Sequence, residues 1–450
     1  MEFSSMLSSL ISKTADILWG PPTLLLILCT GVYLSSISGF FQLTHLTCWL
    51  RSLFPNQKHT LKPLFTALGG SIGIGSIAGV ASALSVGGPG AIFWMWISAL
   101  LGMMIKFSEI ALAVKYREKT SLGFRGGPMF YIHKALRCRL LSILFCLFSI
   151  FASFGIGSMC QSNALASSMH YMTGISPNYI AIPLLVIYSF FLFHNASYIS
   201  NFASIAVPAA AICYLLFGCF LLFSHRALLP SLLHIIIKDA FSGSSICGGI
   251  IGLFSAKCVR IGIARGIFSN EAGLGSAPII HAEIPNTTPY HEGLLGIAES
   301  GISTLLICTV SGFLFLLAQI EQGIPFDSYQ DSTVLALRAF SSLTSPLGTG
   351  LLGFSICLFA FMAPLGWSLC GRRATEYLFP EKKSFLTVYL ILFLFSLFLG
   401  FFLHVEIIWQ LSDIFNALMT LPNLLSITAL HKEIREILYS KNREQGVASD

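Results

Sequence analysis

The sequence predicts an all-α integral membrane protein of about eleven membrane-spanning helices, two of them broken. Three observations carry that prediction. Charged residues make up only 10% of the chain and hydrophobic ones 55%, with 38 phenylalanines and a mean hydropathy of +0.78, whereas a soluble domain is about 25% charged. Apolar stretches near the roughly 20 residues that cross a bilayer recur along the whole length. Two of them, 68–79 and 266–278, hold glycines and polar residues that an unbroken helix disfavours.

The expected spans run over 21–41, 64–86, 89–114, 140–172, 179–194, 198–224, 258–282, 294–320, 348–378, 385–404 and 406–430. The fourth and ninth are long enough to tilt or kink. Leu232–Ala240 and Ser332–Phe340 read as surface helices between spans. The N-terminus lacks a basic region, short apolar run and cleavage site in series, so 21–41 is read as a retained span rather than a signal peptide.

The net charge of +6 does not point to nucleic acid, because the basic residues gather in the loops. With the N-terminus outside, the inner loops carry Arg51, Lys58, Lys62, the run from Lys115 to Arg139, Arg372, Arg373, Lys382, Lys383 and the tail residues Lys432 to Arg443. That is about 18 basic residues against about 6 outside, the asymmetry that orients membrane proteins. The C-terminus is then cytoplasmic. Twelve cysteines are scattered, with no C-x-x-C pair, and read as small apolar residues rather than metal ligands or disulfides.

The first break, Leu68-Gly69-Gly70-Ser71-Ile72-Gly73-Ile74-Gly75-Ser76-Ile77-Ala78-Gly79, contains five glycines. Each costs about 1 kcal/mol against alanine in a helix interior, so the segment is expected to unwind. The second break, Gly266 to Pro278, carries Ser269, Asn270 and Glu271 inside an apolar span. Irregular backbone at membrane depth is tolerated only inside protein or along a cavity. Interrupted helices at corresponding places in two halves mark the site of a transporter. Each break opens a set of five helices, spans 2–6 and 7–11, and the odd number makes the second set inverted. The expected organisation is one transmembrane unit: an extra N-terminal helix and loop (21–62), a first repeat (63–224), a second repeat (225–430) and a tail (431–450).

These stretches resemble the alanine or glycine:cation symporters. The resemblance lies in Gly73 to Tyr116, Arg125 to Ile132, Gly155 to Asn163, Gly262 to Ala282 and Leu365-Gly366-Trp367. It implies a leucine-transporter-like fold with one added N-terminal helix, and symport of a small neutral amino acid, alanine or glycine, with sodium. No cofactor is implied beyond that ion, and the setting is a prokaryotic inner membrane with its lipid. The residues suit the task. A half-helix starting near Ser76 offers free N–H groups and the positive end of its dipole to a carboxylate, and Gly73 and Gly75 permit close approach. Asn270 and carbonyls around Gly273 are expected to take the ammonium. Gln161 resembles the glutamine that faces the site in this family, and Phe268 and Trp367 are expected to close the pocket. Glu271 is read as a cap of the second half-helix. Lys106 and Glu109, spaced i,i+3, are read as a pair with each other.

The chain leaves the family pattern at three places, all on residues that handle the ion. Gly73-Ile74-Gly75-Ser76 stands for Gly-Thr-Gly-Asn, Ser303-Thr304 for Asp-Thr, and Met362-Ala363-Pro364 for hydroxyl residues. The remaining ion ligands are Ile72, Gly75, Ser76, Ser303 and Thr304, a sparse set for a hard cation that wants several oxygens. Glu299, one turn before Ser303, is the candidate for the missing charge, as ligand or protonatable group; the competing reading is a side chain snorkelling to the membrane edge. Proton-coupled or uncoupled transport is therefore the alternative. A channel would want a ring of like groups, and a membrane enzyme a Ser/His, paired-Asp or H-E-x-x-H arrangement. Neither pattern is present, nor is a phosphate-binding loop. His170, His194 and His281 are expected at span ends without partners.

Overall fold

The computed structural model describes residues 2–54, 61–121, 123–194, 196–241, 257–326 and 331–446, and Lys58 lies outside them. The described chain is almost entirely helical, with one short hairpin pairing Glu118–Thr120 to Gly123–Arg125. Seven helices are long and apolar enough to cross a membrane, or eight if Val405–Ala429 and His431–Tyr439, bent by 64°, count as one. The expected eleven exceed that number for a physical reason. Each break divides its apolar stretch into pieces too short to qualify alone, and Pro177–Phe193 is only 17 residues long.

Each expected span nonetheless has a helical counterpart. The first begins earlier than expected: helix Glu2–Leu18 precedes Pro21–Ile37, and Trp19 at the joint donates its indole N–H to the Asp413 carbonyl at 2.6 Å. The long fourth segment, Arg139–Thr173, is interrupted by a π turn at Gly155–Met159. A second π turn, Gly301–Cys308, lies within Pro289–Gln322. Such turns leave main-chain groups out of the regular ladder and often sit at functional sites. The ninth segment, Pro346–Leu378, runs through Pro364 unbroken. Both expected surface helices form, at Leu229–Ala240 and Ser332–Leu343, but each packs residues such as Leu232, Ile236 and Phe340 fully inward.

The first break is real. Helix Lys62–Ser71 stops, Gly73 is extended, Ile74–Ser76 make one 3-10 turn, and the chain resumes at Ala78–Gly87. The second half therefore starts two residues after Ser76. Gly69 and Gly70 stay helical, and Gly70 serves close packing: a Cβ at Gly366 would lie 3.0 Å from the Gly70 Cα and 3.1 Å from its nitrogen. The second break separates Lys257–Asn270 from Ser276–His281. Three residues there, Glu271, Gly273 and Gly275, take positive φ of 54°, 85° and 82°, a backbone that glycine adopts without steric cost.

Both breaks lie in the protein interior, with Ile72, Ile74, Ser76, Ile77, Ser269, Asn270 and Leu274 all 2% exposed or less. This is the setting that irregular backbone requires in a membrane. The Gly366–Gly70 approach meets main chain on both sides, so no side chain can yield. Gly366→Ala is expected to cost about 1–3 kcal/mol through overpacking, measured as a lowered melting temperature of the detergent-solubilised protein.

Candidate functional site

The two breaks touch. A Cβ on Gly75 would lie 2.8 Å from Cδ1 of Phe268 and 3.1 Å from its carbonyl oxygen, so this glycine is where one broken helix admits the other. One residue along, the Ser76 and Ser269 hydroxyls are 2.8 Å apart. Thr304, from the π turn of the eighth segment, donates to Ser269 Oγ at 3.4 Å, and Cys308 Sγ lies 3.1 Å from the same oxygen. Three hydroxyls from three elements thus meet at one point. Ser303 is turned away and donates to the Ser300 carbonyl. Ser311 donates to the Ser76 carbonyl at 3.0 Å, engaging one of the acceptors the first break frees.

Gln161 reaches the first break as expected, but its amide is used by the scaffold. Its Oε1 accepts from Ile74 N at 3.1 Å and its Nε2 donates to the Ile156 carbonyl. A Cβ on Gly73 would come within 2.6–2.9 Å of that amide. The glycine makes room for the glutamine that holds the unwound turn. Helix Ala78–Gly87 begins without a side-chain cap, which leaves the start of its N–H row to a ligand.

Asn270 departs from expectation. Its Oδ1 accepts from Ala272 N at 2.9 Å, while its buried Nδ2 has no hydrogen-bond partner. The uncommitted group is a donor, which suits a carboxylate rather than an ammonium. The Gly273 carbonyl accepts from Asn423 Nδ2 at 2.9 Å. Glu271 also differs from its reading as a cap. Its carboxylate accepts from the Ser276 hydroxyl at 2.5 Å and from the Trp367 indole N–H at 2.9 Å, not from the main chain of the half-helix. Trp367, 1% exposed, is packed through its Cβ on Gly157 in the π turn and ties the ninth segment to the second break.

The reading of Lys106 and Glu109 as a mutual pair is corrected. Lys106 Nζ lies 3.2 Å from Glu299 Oε1, and Glu109 accepts from Asn423 Nδ2 at 2.7 Å, whose Oδ1 takes the Tyr131 hydroxyl. Lys106 looks across to the helix opposite because its own turn is filled by that network. Glu299 is completely buried, which removes the snorkelling alternative. His281 is not at an unpartnered span end: its Nδ1 is 2.6 Å from Glu292 and its Nε2 3.8 Å from Glu299. Ser269 lay inside the expected second break but was not named for a role, and Lys106, His281 and Glu292 were given no part in the site.

Where oxygens were lost relative to the family pattern, packing takes over. Met362 lies beside the first broken helix, with its Cβ 3.8 Å from where a Gly69 side chain would begin. Charged clusters close both ends of the second broken segment. At one end Arg265 pairs with Asp413 at 3.3 Å beneath the Trp409 ring, itself 4.6 Å from Phe268. At the other, Arg373 holds Glu283 at 2.5 Å and Glu376 at 2.7 Å, and Arg125 adds a contact to Glu376 at 3.3 Å.

The family model described as "Sodium:alanine symporter family" matches residues 4–449. The sodium/alanine symporter AgcS of Methanococcus maripaludis is 34% identical over 94% of this chain and 94% of its own length. The "Probable sodium/glutamine symporter GlnT" of Bacillus subtilis is 31% identical over 99% of this chain and 93% of its own. Among solved structures, MhsT in complex with L-phenylalanine aligns with a TM-score of 0.56 at 13% identity, covering 85% of this chain and 98% of that one. The helices around the breaks therefore take a leucine-transporter-like arrangement.

Trp367→Phe keeps the ring and removes the indole donor to Glu271. A buried group losing a charged-acceptor bond costs about 1–3 kcal/mol. The variant is expected to melt at lower temperature, and Trp367→His, which retains a ring N–H, should lose less in the same assay.

Proposed function

The chain belongs to the sodium:alanine symporter family, and from that premise we propose that it imports a small neutral amino acid, alanine or glycine, by symport with a cation. It is a multi-pass membrane transporter and not an enzyme. The observation that carries the proposal is the buried crossing of two broken helices at Gly75 against Phe268 and Ser76 against Ser269.

In this reading Gly73, Gly75, Ser76, Gln161, Phe268, Asn270, Gly273 and Trp367 surround the substrate. A zwitterion needs donors at one end and acceptors at the other. The uncapped start of Ala78–Gly87 and the free Asn270 Nδ2 supply donors to the carboxylate, with the helix dipole adding positive potential. Carbonyls of the second break supply acceptors to the ammonium. The ring of Phe268 and the enclosed position of Trp367 limit the side chain to a small one. A relative named for glutamine marks the range against which alanine and glycine are to be tested. The repeat organisation follows the same reading: 63–224 and 225–430 as inverted halves, 21–62 as the added N-terminal helix and loop, and 431–450 as a cytoplasmic tail, with the N-terminus outside.

For the cation, the family supports sodium as cargo. The oxygens available to it are the hydroxyls of Ser76, Ser269 and Thr304, the Ser303 hydroxyl on rotation, and carbonyls from Ile72 to Gly75. Both roles open to Glu299 require the Lys106 ammonium, 3.2 Å from its carboxylate, to move away from it. A proton-coupled carrier with a weakened sodium site is the second reading, and the replaced ion ligands favour it.

Purified protein should bind alanine or glycine saturably in a panel of amino acids, and absence of any amino-acid binding would remove the proposal. Labelled alanine uptake into vesicles, with sodium and proton gradients imposed separately, assigns the ion. Gly75→Ala forces a methyl against Phe268. At 1–3 kcal/mol of overpacking and about 1.4 kcal/mol per decade, affinity is expected to fall on the order of tenfold or more, read by the same binding assay.

A further inference from the structure

The third, seventh and eighth segments share a line of ionisable side chains that substrate binding does not use. Glu109, Glu271, Glu292 and Glu299 are each 3% exposed or less, and the basic groups among them, Lys106 and His281, are fully buried. Lys106 sits 3.2 Å from Glu299 and its ammonium also faces Glu109 and Glu271. His281 bridges Glu292 at 2.6 Å and Glu299 at 3.8 Å. Four carboxylates therefore face one permanent cation and one imidazole. An unpaired ionised carboxylate in an apolar interior costs far more than a fold can absorb, and such groups take up a proton or a counter-ion instead. Even with a charged imidazole, only two of the four carboxyl groups can be ionised and paired, so the others hold a proton. The carboxylates are strung out rather than converging: among the described residues no three His, Cys, Asp or Glu side chains meet as a metal site would require. A string suits handing a proton along.

We propose that Glu292, His281, Glu299 and Lys106 form a proton path from the surface loop 283–288 to the second break, which makes amino-acid uptake draw on a proton gradient. This rests on the transport reading above and adds to it the identity and route of a coupled ion. The mouth of the path is at Glu292, whose Oε1 accepts from Thr287 at 2.7 Å in that loop. Arg117 closes over the same loop through the carbonyls of Ile284 and Thr287, and its charge, like that of His291, faces Glu292. A proton taken by Glu292 passes to His281 Nδ1. The imidazolium gives the proton on its Nε2 to Glu299, which ends neutral, and the ring returns to its neutral form. A neutral Glu299 no longer holds the Lys106 ammonium, which is then free to turn to Glu271 or Glu109. Glu271 is bonded to Ser276 and Trp367, and Glu109 through Asn423 to the Gly273 carbonyl. The released ammonium thus acts on the residues that shape the second break. Tyr131 completes the polar groups facing this end of the network.

The test uses the full-length protein in proteoliposomes containing a pH-sensitive dye, with alanine added and no sodium gradient. The expected result is acidification of the lumen on addition of alanine. That signal should be lost in Glu299→Gln and in Glu292→Gln. Glu292→Gln should still exchange labelled alanine between equal pools, because exchange moves no net proton and Glu292 does not line the substrate position. The double variant Lys106→Met/Glu299→Gln keeps the interior neutral and guards against simple misfolding; it should melt near the parent temperature and give no acidification. Uptake with no change of lumen pH, or acidification that persists in both single variants, overturns the proposal. No binding or uptake under any gradient would instead remove the transport reading, and this inference with it.

Discussion

A peptide group released from a helix inside hydrocarbon has no water to turn to, and this constraint organises the centre of the molecule. Each unsatisfied group there costs several kcal/mol, so two adjacent breaks are affordable only with local replacements for the lost ladder bonds. Gln161 takes the Ile74 N–H, Ser311 takes the Ser76 carbonyl, and Asn423 takes the Gly273 carbonyl. These three side chains come from three different helices. The breaks therefore hold together parts of the fold that would otherwise only lie side by side. Glycine is needed at Gly73 and Gly75 less for flexibility than for space, since Gln161 and Phe268 already occupy the volume of a side chain there.

The same medium sorts the charges. Pairs near the ends of the segments, such as Arg265 with Asp413 and Arg373 with Glu283, keep 10–25% of their side chains in contact with solvent. They keep contact with water, so holding their charges costs the fold little. The central group around Lys106 has no such outlet. Its members are shielded from water, and Lys106 Nζ, Glu299 Oε1 and Oε2 and His281 Nε2 all lack well-aligned hydrogen bonds. Buried charges are expensive to keep unless they are paired or functional, and imperfect pairing in the interior favours the second explanation.

How much of this was legible in the sequence followed from the range of each interaction. The breaks were visible because glycine and polar residues inside an apolar run are local signals, and the positive φ at Gly273 and Gly275 is what such residues permit. The contact of Gly75 and Ser76 with the second break was legible because both belong to the broken segment itself. Lys106 with Glu109 was misread because i,i+3 spacing only permits a contact; tertiary packing turned the ammonium toward Glu299. His281 failed for the same reason, since its partners lie on another helix. For Asn270 the sequence could not show that its oxygen is taken by the Ala272 N–H, which leaves its amide nitrogen without a partner. The span count exceeded the helices that qualify by length because the breaks which define the site also shorten the helices that carry it.

The departures from the family pattern then acquire a physical meaning. A hard monovalent cation is held by several oxygens at once, by analogy with the larger coordination numbers of calcium. Here the three converging hydroxyls, Ser76, Ser269 and Thr304, already satisfy one another. The Ser76 carbonyl is bonded to Ser311, and Met362 packs where hydroxyls would otherwise face the first break. An ion entering this point must displace internal hydrogen bonds, each worth about 0.5–1.5 kcal/mol net, with no local carboxylate to offset the loss. A proton entering at Glu292 meets His281 Nδ1 at 2.6 Å, with Glu299 3.8 Å beyond the other ring nitrogen. On the proposed proton path, coupling rests on the buried carboxylates rather than on the hydroxyl cluster.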